Sequence, residues 1–309
     1  MLTLLEAAKL ALANGETKRA SVIAMFAQQS AWLRAMQFTN IPGNSYGYNV
    51  EGALPGVAFR GINEAYPEST GILNPQSESL RIAGGDLDVD KALVRTMGLG
   101  VRTRHEALKI KALAAEITRV LIKGDSETNP REFDGLQKRC VNTQLISNGT
   151  TSGGDPLSLA NLDALLEAVP GANAIMIPRA MRPRFTALMR NQTLAGNIMQ
   201  TRDQFGSLYE TYNGVPIIPA YPDNDGVDPL GFNEAAQNGG TTAASIYAAR
   251  IGDGYLQMIQ NGTMDVTDLG ELDSLPVLRT RVEWLIGMVV EHGRAAGRLF
   301  GVSNAPIVA

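Results

Sequence analysis

The run Gly43-Asn44-Ser45-Tyr46-Gly47 has the G-x-S-x-G spacing of a nucleophile elbow, so Ser45 is a candidate for acyl transfer. An elbow serine must sit on a tight turn from a strand into a helix. Here Pro42 precedes the run and Tyr48-Asn49-Val50 continues it as strand, which reads better as a glycine-flanked bend. His105 and His292 are the two histidines, and Arg104-His105-Glu106-Ala107-Leu108-Lys109 lacks the second histidine of a zinc-binding H-E-x-x-H. Cys140 follows Lys138 and Arg139, cations that could lower a thiol pKa, but no base is placed beside it. Gly98-Leu99-Gly100 does not continue into a dinucleotide-binding loop, and Gly239-Gly240-Thr241-Thr242 has no phosphate-binding lysine. Residues 221–275 hold nine acids, among them Asp223 and Asp225, against Arg250 alone, without the spacing of a calcium loop. A solvated acidic face is the simpler reading. Asn-X-Thr triplets at Asn148, Asn191 and Asn261 mean little without secretion. No acid, base and nucleophile converge, so neither an enzyme nor a metal or cofactor site is expected.

The elements that would position any site are clearer. The chain has 309 residues, 44% of them hydrophobic, enough for one elaborated domain or two. Its net charge of −4 argues against a general nucleic-acid binder. A single cysteine excludes a disulfide framework and fits a reducing compartment. No apolar run reaches the roughly 18–20 residues of a membrane span. Glu6 and Lys9 interrupt the first apolar stretch, which reads as an amphipathic helix rather than a signal peptide.

Periodicity predicts helices over 1–13 and 17–36, with Asn14-Gly15 between them. These two need a surface to pack on, on this subunit or another. Residues 37–98 read as a turn-rich β excursion, with strand pieces at Ser45–Val50, Val57–Ile62, Leu80–Ile82 and Leu87–Val89. A loop that long is unusual within a compact domain and is usually functional. Ile110, Leu113, Ala114, Ile117, Val120 and Leu121 mark a long helix over 101–123, net charge +4, stopped by Gly124. A helix over 157–169, a buried strand at Ala174–Ile177 and a turn and helix from Pro178 to Arg190 follow. Asn213-Gly214 predicts a hairpin whose second strand, carrying Pro216, belongs at an edge. Strands are expected at Ser245–Ile251 and Tyr255–Ile259, and Val282–Val290 as the last strand.

The order of these parts resembles the major capsid proteins of tailed bacteriophages, the α+β Hong Kong 97 fold. Residues 1–36 resemble its N-terminal arm. Leu54-Pro55-Gly56-Val57-Ala58-Phe59-Arg60-Gly61-Ile62-Asn63-Glu64 sits where the family carries its extended β E-loop. Asp88-Val89-Asp90-Lys91 resembles the return strand, and 101–123 the long spine helix. The helix exit, Gly124-Asp125-Ser126 to Asn129-Pro130-Arg131-Glu132-Phe133-Asp134-Gly135-Leu136, is the most specific phrase. The resemblance implies an arm (1–36), an extended loop and return strand (37–98), a peripheral domain (99–139 and 276–309) and an axial domain (140–275). Thr280-Arg281-Val282-Glu283-Trp284 would open the final peripheral strand.

The resemblance further implies a structural subunit of an icosahedral virion, assembled in the host bacterial cytoplasm. Hexamers and pentamers would enclose double-stranded DNA without sequence-specific binding. Scaffolding, portal and decoration proteins are possible partners; no membrane or cofactor is implied. Glu51, Arg60, Glu64 and Lys91 are the candidates for charge pairs between subunits. No cleaved scaffold domain is visible ahead of the arm, and no Lys–Asn cross-link can be assigned. Three rivals remain: an encapsulin-like nanocompartment shell with protein cargo, a serine hydrolase using Ser45, and a nucleic-acid-binding module using helix 101–123.

Overall fold

The structure is a computed structural model describing residues 3–53, 55–98, 100–190, 198–202, 208–220 and 227–308. The expectations placed on Leu54, Leu99, Asn191, Asp223 and Asp225, and on the side chain of Glu51, lie outside the described residues. Helix α1 (Leu4–Ala13) starts with a capping box. The Thr3 hydroxyl accepts from the Glu6 amide, and the Glu6 carboxylate accepts from the Thr3 amide at 2.8 Å. The predicted helix over 17–36 breaks in two, α2 (Thr17–Gln29) and α3 (Ala31–Ala35). The break is at Ser30, whose hydroxyl accepts from the Leu33 amide (3.3 Å) and from Thr118 (2.9 Å). The surface these helices need is on this subunit. Val22, Ile23, Phe26 and Ala27 are buried in one core with Ile110, Ala114 and Leu121, and the Trp32 indole donates to the Ile218 carbonyl at 3.1 Å.

After β1 (Phe38–Asn40), strands β2 (Ser45–Ala53) and β3 (Ile72–Ser79) form a separate two-stranded antiparallel ribbon, with Ser45 opposite Ser79. Val57–Ile62, expected as strand, is irregular. No partner strand among the described residues reaches it, and local side-chain bonds hold it instead: Gly61 N to Glu64 Oε2 (2.8 Å) and Ser69 Oγ to the Gly56 carbonyl (2.7 Å). Leu80–Ile82 and Leu87–Val89 belong to one strand, β4 (Arg81–Asp90), paired throughout with β14 (Val277–Val290). Gly84 permits that pairing, since a Cβ there would lie 2.3 Å from the Val282 carbonyl oxygen. The Asp90 carboxylate then caps an unforeseen helix, α4 (Lys91–Met97), through the Ala92 amide. The predicted long helix is α5 (Gly100–Lys123), about 36 Å long at 1.5 Å per residue.

Beyond α6 (Leu136–Arg139), the chain builds two sheets. The eight-stranded sheet contains β5 (Leu145–Ser147), β6 (Ala174–Pro178), β7 (Ile198–Arg202), β8 (Leu208–Tyr212), β9 (Val215–Ala220), β10 (Glu234–Ala236), β11 (Gly239–Ala249) and β15 (Ala296–Val302). Helices α7 (Leu159–Ala168) and α8 (Arg182–Met189) supply Leu162, Leu165 and Phe185 to its core, where they join Ile175, Ile177 and Leu299. The five-stranded sheet contains β1, β12 (Leu256–Gln260), β13 (Asp265–Glu271), β14 and β4. Its core centres on Trp284, which stacks on Phe38 at 5.3 Å and meets Phe26 edge-on at 5.5 Å.

Two expectations fail here. Val282–Val290 lies in the penultimate strand, because β15 turns back into the eight-stranded sheet between β5 and β11. Pro216 is not at an edge. β9 pairs with β8 at Val215–Pro216 and with β6 from Ile217 onward, so its two neighbours use different parts of the strand. Ser245–Ile251 and Tyr255–Ile259 part company, into the eight-stranded and five-stranded sheets respectively. The segments 140–275 and 276–309 therefore each contribute strands to both sheets. No helix among the described residues is long and apolar enough to cross a membrane.

Candidate assembly surface

The ribbon foot is bound to the body by two polar clusters. Tyr46 donates its hydroxyl to Glu291 (2.8 Å), which also accepts from Gln257; Thr39 donates to Gln257 Oε1 (2.6 Å). Burial, then the Glu291 carboxylate, pushes the Tyr46 phenol up to about 12, so it stays a donor. On the second cluster, Arg139 pairs with Glu78 at 2.8 Å and donates to the carbonyls of Asp134 and Met288. The backbone adds Leu80 N to Asn44 O, and Asn261 adds its amide to Gly43 O.

The return strand is fastened differently. Asp86 stands opposite Arg281 and Asp88 opposite Arg279, and both pairs are bidentate, at 2.7 and 2.9 Å and at 2.6 and 2.6 Å. Hydrogen bonds from these arginines hold both carboxyls below the ordinary aspartate value. Arg102 reaches Asp268 (2.5 Å) and Glu106 (3.4 Å), tying α5 to β13. These anchoring residues were not singled out in the sequence, although alternation was readable: acids at 86, 88 and 90 and arginines at 279 and 281 keep a period of two.

The four predicted interface residues separate. Arg60 and Glu64 share the ribbon tip, where Arg60 donates to the Glu64 carbonyl (3.3 Å) and lies 5.1 Å from the Tyr66 ring centroid. Lys91 is remote from them, at the start of α4, and pairs with Glu271 of its own chain at 2.5 Å. Glu51 has its backbone opposite Leu73 in the ribbon. Apolar side chains at the tip have no cover: Val57 is 93% exposed, Phe59 106% and Ile62 93%. Patches of this kind mark contact surfaces.

The helix exit that carried the family phrase is a close backbone approach. The Gly135 amide donates to the Gly124 carbonyl at 2.8 Å, and a Cβ on Gly124 would lie 2.3 Å from the Phe133 carbonyl oxygen. Lys138 gathers Asp125, Asp134 and Glu127 around it, and its hydrogen bond, with those of Thr128 and the Glu127 amide, holds Asp125 down to about 2. Lys138 therefore does not activate Cys140; burial pushes that thiol up to about 12. Ser45 opens strand β2 and no helix follows, so it lacks the elbow geometry. His292 Nδ1 accepts from the Arg294 amide in a surface turn.

The family model of the major capsid protein GP7 matches residues 14–159. No curated protein sequence matches the chain. Among solved structures, the SrpI encapsulin complex of Synechococcus elongatus PCC 7942 superposes with a TM-score of 0.65 at 17% identity, covering 90% of this chain and 89% of that one. The capsid of an empty GTA particle gives 0.58 at 15%, covering 89% and 90%. Microbacterium phage Oxtober96 gives 0.60 at 12%, covering 89% and 91%. At these identities the structural likeness shows the fold, that of the Hong Kong 97-like capsid and encapsulin shells, and the GP7 match makes residues 14–159, just under half of the chain, similar to a major capsid protein family.

Proposed function

We propose that the chain tiles a closed icosahedral bacteriophage shell of hexamers and pentamers, assembled in the host cytoplasm around double-stranded DNA. In this reading the ribbon is the extended E-loop, α5 the spine helix, α1 to α3 the arm, and the two sheets the cores of the peripheral and axial domains. One observation carries the reading: the ribbon is a sheet of its own, and the apolar side chains at its tip are left exposed in the single chain, a surface that a neighbouring subunit would cover. Large obligate interfaces can bury thousands of Å², each at about 25 cal/mol before ordering costs. Arg60, Glu64 and Glu51 would then form charge contacts between subunits, with Lys91 bracing α4 against β13 in its own chain. The net charge of −4 suits a shell that must not grip DNA tightly.

Negative-stain microscopy of the purified protein tests this. Closed particles or capsomers are expected, and deleting residues 55–70 leaves soluble subunits that do not close. Normal particles from the deletion variant would remove the ribbon's role. The encapsulin-like rival shares the fold and differs in load. Nuclease-protected DNA inside native particles supports the viral reading, which the GP7 match favours; a protein cargo opposes it.

A further inference from the structure

We propose that Asn14, at the elbow between α1 and α2, is a site of spontaneous deamidation, and that the acid formed there loosens the last turn of α1. This chemistry does not depend on the capsid reading. The chain has five Asn-Gly steps, at Asn14, Asn148, Asn213, Asn238 and Asn261. Glycine presents the following amide with no side chain in the way, so these are the asparagines most open to ring closure. Four of the five have their side-chain amide tied down. Asn148 Nδ2 donates to the carbonyls of Asp155 (2.9 Å) and Pro156 (2.8 Å). Asn213 donates to Asp163 Oδ1 (3.1 Å), Asn238 to the Thr150 carbonyl (2.5 Å) and Asn261 to the Gly43 carbonyl (2.9 Å). The Asn14 side-chain amide has no such partner among the described residues. Exposure does not make the difference, since Asn213, Asn238 and Asn261 are exposed as Asn14 is.

The reaction needs only the chain and water. The Gly15 amide nitrogen loses its proton and attacks Asn14 Cγ. The new N–Cγ bond closes a succinimide while the Cγ–Nδ2 bond breaks and ammonia leaves with that proton. Water then opens the ring to aspartate or isoaspartate. Asn14 caps α1 at φ −80° and ψ 0°, and the backbone must turn about ψ to bring the Gly15 nitrogen over Cγ. A tethered amide gives up its bond before that turn; Asn14 has none to give up. The Gly15 amide is held by the Leu12 carbonyl (3.1 Å), a bond in the last turn of a helix, where ends fray. The Gly262 amide, by contrast, is fixed on Asn40 Oδ1 (2.8 Å). Nothing lies within 4 Å of a Cβ placed on Gly15, so no neighbour obstructs the elbow. The product sets a carboxylate at the carbonyl end of α1, where the helix dipole disfavours it, two residues before Glu16. Helix α1 has little to resist with, since its buried side chains are Leu4, Ala7, Ala8 and Ala11.

Peptide mapping of the purified full chain, held at about pH 8 and about 37 °C, tests the site, with isoaspartyl methyltransferase labelling as the probe for isoaspartate. Asn14 is expected to convert at least about tenfold faster than each of the other four asparagines, and Asn14→Gln to remove the fast phase. In urea the five rates should converge, because the tethers are lost. Comparable rates in the folded protein, a tethered asparagine converting first, or a spread that persists in urea would each overturn the proposal. Asn14→Asp places the acid in every molecule and reads its consequence. Hydrogen exchange over residues 4–13 is expected to quicken at least about threefold while β6 is unchanged; unchanged exchange in α1 contradicts the loosening.

Discussion

The ribbon tip and the five-stranded sheet obey opposite rules within one chain. In the sheet, Trp284 is 2% exposed and its indole donates to Gln260. It shares one core with residues of α1, α2, α3, α5 and β1, far apart in sequence. In the tip, the largest side chains face solvent and the internal bonds link residues 13 or fewer positions apart. The body is stabilised by burial inside one subunit; the tip is only shaped there. That difference separates folding from assembly, so substitutions can act on one and spare the other.

The widest separation is expected at Trp284. Trp284→Ala empties the centre of a core and destabilises the subunit by about 3–5 kcal/mol, read as a fall in the denaturation midpoint. Gly84→Ala follows, at about 1–3 kcal/mol, because its Cβ would collide with the β14 backbone and force β4 aside. Arg139→Ala strands Glu78 at the ribbon foot and costs about 1–3 kcal/mol. Its local readout is faster hydrogen exchange in 72–79, with the eight-stranded sheet unchanged. Acid acts on the return strand: Arg281 and Arg279 hold Asp86 and Asp88 below the ordinary value, so folding lowers both pKa values. Their contribution is complete above about pH 4 and disappears as pH falls through the folded values, so β4 amides should lose protection below about pH 4 and not between 5 and 8. The smallest stability effect belongs to Phe59→Ala, within about 0.5 kcal/mol for the free subunit. A large destabilisation there would erase the contrast between tip and body.

Local patterns were legible and distant partnerships were not. Apolar spacing located α5 within one residue, and Asn213-Gly214 located a hairpin whose turn has positive φ at both residues. The ribbon was visible as an excursion, but Val57–Ile62 looks like strand only if a partner is assumed. Ser30 caps α3 by accepting from the Leu33 amide, and its hydroxyl also meets Thr118, 88 positions away, a contact that local spacing does not reveal. Lys91 was chosen by its place after the return strand, whereas Glu271, 180 positions on, determines its pairing. The final strand β15 was missed because its short run, Ala296–Val302, contains Gly297, Arg298 and Gly301. Close packing explains Gly297: a Cβ there would lie 2.9 Å from Val169.

Hydrogen exchange of the amides in 55–71, compared between dissociated subunits and closed particles, tests the central claim most directly. The account predicts rapid exchange in the subunit and at least about tenfold slower exchange in the particle, with the core strands β6 and β14 equally protected in both. Equal exchange of the tip in the two states would contradict it.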